Sequence, residues 1–260
     1  MLYNNNFINT NFSIMLKKYN YNLHTGDIVA GTIFNQEKTG FLVDIGDRIA
    51  GYLPIEEIGL TFNENKDIKY LHKTTREFFI LAYDIEMKQL ILSVKRLEYI
   101  RAWKRIKQIQ KENIILNLPI DHINKGGIIT HIEGLQGFIP NSHIIHDIEK
   151  DNIKQIQCKF LITDDKNNQI ILSNKSALLY VSSHKYRIGE IIYGKIKQIK
   201  QYGLFIDINN IIALLHISEI SSAYIDNLYQ SFQTEKIIKV KIIHIDFKQG
   251  RISLSKKSLN

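Results

Sequence analysis

The sequence has a single cysteine, Cys158, and three prolines among its 260 residues. One cysteine excludes an intrachain disulfide and a metal site built from several thiolates, so a reducing compartment fits best. No apolar run approaches the roughly 18 residues that a membrane helix needs. The opening residues, MLYNNNFINTNF, lack the charged and apolar segments of a secretory signal. We therefore expect a protein without a membrane anchor.

Motifs that carry catalysis are also lacking. The sequence contains no His-Glu-x-x-His, no phosphate-cradling glycine loop and no zinc-ligand spacing. Asp164 and Asp165 are adjacent, but the surrounding LITDDKNNQI favours a hairpin turn. His143, His146 and Asp147 lie close in sequence, where a polar loop or helix start is favoured over a metal site. We expect a non-catalytic protein with no cofactor and no metal.

The charge is unevenly distributed along the chain, with a net value of +8. Residues 21–96 hold 9 basic and 11 acidic residues, residues 97–180 hold 11 and 9, and residues 181–260 hold 12 and 6. A basic surface favours anionic partners. The anion-binding surface is therefore expected mostly in the last third.

Three copies of one unit follow one another. They end alike, in LSVK (Leu92–Lys95), LSNK (Leu172–Lys175) and LSKK (Leu254–Lys257). The first and third begin with GDIVAGTI and GEIIYGKI, and the second has a looser version. Each copy then has a glycine at a similar position: Gly40, Gly127 and Gly203.

Each copy shows about five short, apolar and β-branched segments typical of strands. Closing such strands into a small barrel removes exposed edges. The predicted fold class is all-β, with three tandem five-stranded barrels joined by helical linkers. The predicted divisions are a tail with a short helix (1–20), a first repeat (21–96), a helical linker (97–112), a divergent second repeat (113–176), a shorter linker (177–186) and a third repeat (187–260). In the first linker, apolar residues at helical spacing predict an amphipathic helix with Trp103 as a packing anchor. Its basic face could meet RNA, but a solvated face is favoured.

The segment GEIIYGKIKQIKQYGLFIDI, with ALLHISEI and DFKQGRISLSKK after it, resembles the RNA-binding repeat of ribosomal protein S-one (S1), an OB-fold barrel. The segments LSVKRLEYIRAWKRIKQIQ and KGGIITHIEGLQGFIPNSHI extend the resemblance. The chain as a whole is similar to the three-repeat S1 proteins of cyanobacterial and plastid small ribosomal subunits. Binding-competent repeats of this family place aromatic residues and a histidine on one face, with an acidic and a basic residue at the last turn. The resemblance assigns these roles to Tyr202, Phe205, His216, Asp246 and Arg251.

The chemistry of these residues suits unpaired RNA. Aromatic rings stack on bases, which contributes about 1–3 kcal/mol per base with little sequence preference. Lys195, Lys197 and Lys200 are predicted to neutralise backbone phosphates. The alternation in GLFIDI also allows Phe205 to face the core, and a lone histidine such as His216 is often structural.

The first two repeats depart from this pattern. Where the third has His216 in ALLHISEI, the others have proline in GYLPIEEI and GFIPNSHI. The matching face positions are Thr39, Leu42 and Pro54 in the first repeat, and Gly126, Ile129 and Pro140 in the second. Because proline can neither donate a hydrogen bond nor stack as a cation, we interpret these repeats as docking and spacing modules. Phe41 is expected to point to the opposite side of its strand.

The resemblance implies a small-subunit ribosomal protein that binds single-stranded mRNA and helps recruit it for translation initiation. Its expected partners are single-stranded RNA, small-subunit ribosomal proteins and rRNA. The expected location is the plastid stroma, with bacterial cytoplasm as the alternative. Two other functions stay open at this point: a free RNA chaperone or regulatory RNA-binding protein, and an accessory RNA-binding subunit of a ribonuclease.

Overall fold

The computed structural model describes residues 23–47, 49–60, 74–84, 89–145, 154–221, 227–257 and 259. The chain divides into two compact units, residues 1–101 and 102–260. The predicted tail over residues 1–20, and His146 and Asp147, lie outside the described residues. Within the described residues, no helix is long and apolar enough to cross a membrane, and no cluster of three metal-ligating side chains occurs.

The first unit contains a closed five-stranded barrel. Its strands are β1 (Ile28–Gln36), β2 (Gly40–Asp44), β3 (Gly51–Pro54), β4 (Thr75–Asp84) and β5 (Gln89–Ser93). They are joined in the order β1-β2-β3-β5-β4, with β3 and β5 parallel and the other pairs antiparallel. Alternate side chains point inward. The interior includes Ile33, Phe41, Leu53, Ile80 and Leu92, so Phe41 faces the core as expected.

Helix α1 (Lys95–Lys111) follows the first barrel. The residues buried along it are Leu97, Ala102, Trp103, Ile106 and Ile109. Ala102 and Ile106 are four residues apart, and Trp103, Ile106 and Ile109 follow one another at three, which places them on one side of the helix. This confirms the predicted amphipathic helix. Lys107 and Asp165 both belong to the second unit, and Lys107 Nζ lies 2.6 Å from Asp165 Oδ2. This lysine of the basic face therefore forms an ion pair within the protein.

The second sheet has six strands where five were expected. They are β6 (Leu116–Pro119), β7 (His122–Asn124), β8 (Gly127–Ile132), β9 (Leu135–Pro140), β10 (Gln155–Asp164) and β11 (Gln169–Ser173), in the order β6-β10-β11-β9-β8-β7.

The additional strand arises because the first strand is divided. β6 pairs with β10 and β7 pairs with β8, and two residues separate them. At this break the amide of Ile120 donates to the Lys154 carbonyl at 3.1 Å, and the amide of Asp121 donates to the Ile129 carbonyl at 3.1 Å. Taken as one bent strand, β6 and β7 complete the same ring as in the first barrel. The aspartate pair of the β10–β11 connection lies in a turn, where Asp164 Oδ1 accepts from the amide of Lys166 at 3.0 Å.

The third sheet is again a closed barrel. Its strands are β12 (Ile191–Lys200), β13 (Gly203–Ile208), β14 (Ile211–His216), β15 (Ile237–Asp246) and β16 (Arg251–Ser255), in the order β12-β13-β14-β16-β15. Helix α2 (Asn174–Val181) precedes it, and a short helix α3 (Leu228–Ser231) lies between β14 and β15. A short 3-10 helix follows one strand of each sheet: Ile55–Glu57 after β3, Asn141–His143 after β9 and Ile217–Glu219 after β14.

Helix α2 packs against the third barrel within the second unit. The hydroxyl of Ser176 donates to the carbonyl of Phe247 at 2.6 Å. A Cβ built on Gly250 would lie 2.6 Å from the Lys175 carbonyl carbon and the Ser176 nitrogen. The turn between β15 and β16 therefore lies directly on the first turn of α2, where only a glycine fits.

His143 is buried beside this contact, with its Nδ1 2.9 Å from the hydroxyl of Ser173. Burial, together with the positive charges of Lys175 and Arg251, lowers the pKa of its imidazole. A neutral, buried ring bonded to a hydroxyl supports the structural role favoured from the sequence.

The repeated glycines mark a close approach between strands. A Cβ at Gly40, Gly127 and Gly203 would lie 2.5, 2.0 and 2.4 Å from the carbonyl oxygens of Leu53, Ile139 and Leu215, respectively. These contacts are with backbone, which cannot rotate away as a side chain can. The glycine that recurs in the three copies is therefore required by the pairing of β2 with β3, of β8 with β9 and of β13 with β14.

Candidate nucleic-acid interface

The outward side chains of the third barrel lie in rows that cross its strands. Gln198, Phe205 and Leu214 are level with one another on β12, β13 and β14. The next row contains Lys200, Gly203 and His216, and Tyr202 lies in the turn that joins β12 to β13. We name this surface the third-barrel face and define it by Lys200, Tyr202, Phe205, Leu214 and His216.

The two aromatic rings of the third-barrel face touch each other. The ring centroids of Tyr202 and Phe205 are 6.1 Å apart and their planes are at 87°, an edge-to-face pair. Tyr202 is 49% exposed. Phe205 is partly buried, and its neighbours Leu204 and Ile206 supply the buried interior positions. The alternative that Phe205 fills the core is therefore wrong, because the alternation along β13 turns it outward.

His216 ends β14 on the same surface and is exposed. Its Nδ1 accepts a hydrogen bond from the amide of Ser218 at 3.3 Å and lies 2.8 Å from the Ser218 hydroxyl. Because Nδ1 accepts, the neutral ring carries its proton on Nε2. Gly203 separates His216 from Lys200 in their row, so no intervening side chain lies between the two. The ring is thus held by its Nδ1 side, which leaves Nε2–H as the donor for a ligand.

The backbone explains why proline replaces histidine in the other two copies. The φ angles of Pro54, Pro140 and His216 are −61°, −62° and −65°, which is the range that a proline ring imposes. The ladder bond at this point comes from the following residue: the amide of Ile217 donates to the carbonyl of Tyr202 at 2.9 Å. The residue at the histidine position therefore does not need its own N–H, and the fold accepts proline at no cost in pairing.

Asp246 and Arg251 lie at the other end of the barrel face. β14 and β16 are parallel, with Leu214 opposite Ser253, so the register continues to place Arg251 level with Ile212, away from the His216 end. Asp246 Oδ1 accepts from the amides of Lys248 and Gln249, both at 3.0 Å. The structure thus gives Asp246 a turn-capping role, and both residues are separated from the aromatic pair.

Two of the three predicted phosphate-binding lysines are paired with an acid. Lys195 Nζ contacts one carboxylate oxygen of Glu235, and Lys197 Nζ lies 3.8 Å from the other. The hydrogen bond and charge of Lys195, with the charge of Lys197, lower the pKa of the Glu235 carboxyl. Lys200 differs because it lies in the row of the third-barrel face itself.

Glu235→Gln is therefore expected to strengthen RNA binding. The substitution removes the negative charge that neutralises Lys195 and Lys197, both of which remain exposed. Because exposed ion pairs are weak, we expect an increase in affinity of only about twofold for single-stranded RNA at low salt. The measurement is fluorescence anisotropy with a labelled oligonucleotide at two salt concentrations. Glu190→Gln is the control with the same charge change, and an equal increase in both variants would show that the two lysines make no local contact with RNA.

The outer faces of the first and second sheets each carry an aromatic ring that sequence matching missed. Tyr52 and Phe138 occupy the strand position that Leu214 has in the third barrel. The hydroxyl of Tyr52 lies 2.7 Å from Thr39 Oγ1, and the end of its ring would lie 2.7 Å from a Cβ on Gly40. The signal was the aromatic residue two positions before proline in GYLP and GFIP. The outward-facing ring of the strand pair is thus on β3 and β9 in these two sheets, whereas in the third barrel it is on β13.

Comparison with known proteins agrees with this architecture. The sequence matches the S1 RNA binding domain family over residues 22–95 and 185–257. The matches correspond to the two closed barrels, and they define a protein built from S1 RNA-binding domains.

Full-length relatives place the chain more narrowly. It is 48% identical over 258 residues to the small ribosomal subunit protein bS1c of Pyropia yezoensis, with 98% of each chain covered. It is 42% identical to bS1A of Synechocystis sp., covering 95% of this chain and 76% of the relative, and 34% identical to bS1c of Spinacia oleracea, covering 95% and 61%. The chain belongs to the bS1 family of small ribosomal subunit proteins. The predicted family, its association with RNA and the ribosome, and the plastid type are thereby confirmed.

Proposed function

We propose that this chain is a non-catalytic ribosomal protein that binds single-stranded mRNA and helps recruit it to the small subunit for translation initiation. The observation that carries the proposal is the third-barrel face, where the exposed ring of Tyr202 and the outward-facing, partly buried ring of Phe205 lie beside His216 and Lys200. Rings offer stacking surfaces to bases, and cations attract the phosphate backbone. The 12 basic and 6 acidic residues of 181–260 add a favourable long-range field.

The contact residues that we propose in the third repeat are Tyr202, Phe205 and His216 of the third-barrel face. We also propose Asp246 and Arg251, which lie at the other end of the barrel. Lys200 contributes directly, and Lys195 and Lys197 contribute when Glu235 releases them. The first repeat, with 9 basic and 11 acidic residues, suits a docking role on the ribosome. The strand bounds support repeats over residues 21–96, 113–176 and 187–260, with linkers at 97–112 and 177–186.

Sedimentation of the full-length chain with purified small subunits tests this function. At moderate salt we expect the protein to pellet with the subunits, and a labelled unstructured mRNA to pellet only when the protein is present. RNA binding without co-sedimentation would contradict the proposal in favour of a free RNA chaperone. Degradation of the RNA on incubation with a divalent metal would contradict it in favour of a ribonuclease subunit.

A further inference from the structure

A concave surface lies in the second unit, and its lining residues differ from those of the third-barrel face. It is an open groove of about 370 Å³ between the second sheet, α2 and the β15–β16 turn. Two lysines and two aromatic rings line it: Lys159, Lys248, Tyr180 and Phe247. We name it the seam groove. Gln110 of α1 and Asn113, just after this helix, add amide groups to its wall.

Lys159 is an unusual residue for such a position. It is only 7% exposed, and its Nζ lies 3.6 Å from the centroid of the Tyr180 ring. No ion pair joins it to a carboxylate of the described residues, and burial alone lowers the pKa of its amine. A buried ammonium group normally has an anionic partner, because its desolvation is otherwise uncompensated. The groove therefore presents a positive charge that the described part of the protein does not neutralise.

Both aromatic rings line the groove, although Phe247 is partly buried against the core of the third barrel. Tyr180 lies in the last turn of α2 and is 43% exposed, and it meets Phe247 edge to face at 6.4 Å and 83°. Lys248 is exposed and follows Phe247 directly. An exposed ring beside a cation repeats the combination that occurs on the third-barrel face.

The two sides of the seam groove are held together. The Ser176 to Phe247 hydrogen bond and the close approach of Gly250 to α2 fix the β15–β16 turn against the helix. The groove is therefore preformed, so binding requires little ordering of its walls. Arg251, a predicted RNA contact, begins β16 immediately after this turn. The turn itself carries Phe247 and Lys248 of the groove.

We propose that the seam groove binds a nucleotide of single-stranded RNA that extends from the third-barrel face. The phosphate lies against Lys159 and Lys248, and the base lies against the rings of Tyr180 and Phe247. This inference rests on the proposed RNA-binding function. An acidic protein segment would satisfy the lysines, but it would not use the exposed Tyr180 ring and the Phe247 ring that lines the groove beside it, which favour a nucleobase.

The test uses the full-length chain and labelled oligouridylates of about 8 and about 16 nucleotides, which lie in the middle and at the upper end of the footprints of one OB-fold. The groove variants are Lys248→Gln and Tyr180→Leu, with Lys159→Met as a variant that keeps the buried stem. Lys239→Gln is the control for lost charge, and Tyr83→Leu is the control for a lost ring of similar exposure, 45%. Phe205→Ala reports separately on the third-barrel face.

We expect Tyr180→Leu to weaken binding of the longer RNA about fivefold or more, since one lost stacking contact has that effect. The two lysine variants should also weaken it and should lower its salt dependence, because each removes a positive charge. Binding of the shorter RNA and both controls should stay unchanged, and ultraviolet crosslinks should reach Tyr180 or Phe247. If Phe205→Ala weakens binding but the groove variants match their controls, the seam groove is not an RNA site. If the groove variants lose only co-sedimentation with small subunits, the groove binds an acidic protein surface instead. If the unmodified chain binds neither RNA, the proposed function itself fails.

Discussion

Phe205→Ala is expected to weaken binding of single-stranded RNA by about 1–3 kcal/mol, the contribution of one stacked base. The ring lies on the outer surface of β13, against Tyr202 and level with Leu214. Its removal leaves the buried neighbours Leu204 and Ile206 in place, so the barrel should fold. The affinity is measured by anisotropy titration of an unstructured RNA, and folding is checked by circular dichroism.

The matched control is Leu42→Ala. Leu42 holds the corresponding position in the first barrel, level with Tyr52, and its truncation removes apolar surface without removing a ring. We expect its effect on RNA affinity to be small. A similar loss of affinity in both variants would show that the first and third repeats share RNA binding equally, which would overturn the assignment of the main contact to the third repeat. Phe205→Tyr, which keeps a stacking ring, should retain most of the affinity.

Gly127→Ala is expected to destabilise the second unit by about 3 kcal/mol, at the upper end of the cost of overpacking. A Cβ at this position would lie 2.0 Å from the carbonyl oxygen of Ile139 and 2.9 Å from its carbonyl carbon. Since Ile139 is itself buried in the sheet, relief of the overlap requires β8 and β9 to separate. The measurement is urea unfolding followed by the fluorescence of Trp103, the single tryptophan, which lies in the second unit.

The neighbouring glycine supplies the control. A Cβ on Gly126 would meet Asn124 Oδ1 and the Phe138 ring at 3.5 Å, which is ordinary contact. Gly126→Ala should therefore be neutral, or should stabilise by about 0.5 kcal/mol through a less flexible unfolded chain. Equal unfolding midpoints for the two variants would show that the β8–β9 approach is not the reason for the glycine.

The exchange of proline and histidine separates the demands of the fold from those of the ligand. All three copies need the same backbone conformation at the ends of β3, β9 and β14. Proline adopts this conformation, and its missing backbone N–H is not needed there. Histidine satisfies it too, and it adds a side chain that is held by Ser218. The fold therefore does not select His216, which is why its presence in one copy points to binding.

Much of the fold was predictable from local pattern. The recurring LSVK, LSNK and LSKK endings and the alternation of apolar residues fixed the number and kind of repeats, because side chains on successive strand residues point to opposite faces. The spacing of Leu97, Trp103 and Ile106 predicted α1, because apolar residues that recur at the helical period lie on one face of a helix. Assignment of Tyr202, Phe205 and His216 to one surface came from resemblance, and the register of β12, β13 and β14 brought them together.

The sequence by itself determined that this protein consists of small β-barrels with its positive charge concentrated in the last repeat, since both follow from residue order and composition. Only the tertiary structure decided which way Phe205 faces, that Glu235 neutralises Lys195 and Lys197, and that Tyr52 and Phe138 lie on the outer faces of the other sheets. It also formed the seam groove, which is lined by Lys159 of the second sheet and Phe247 of the third barrel. The positions of these side chains depend on strand register and packing between segments that are distant in the chain, which the local pattern alone does not determine.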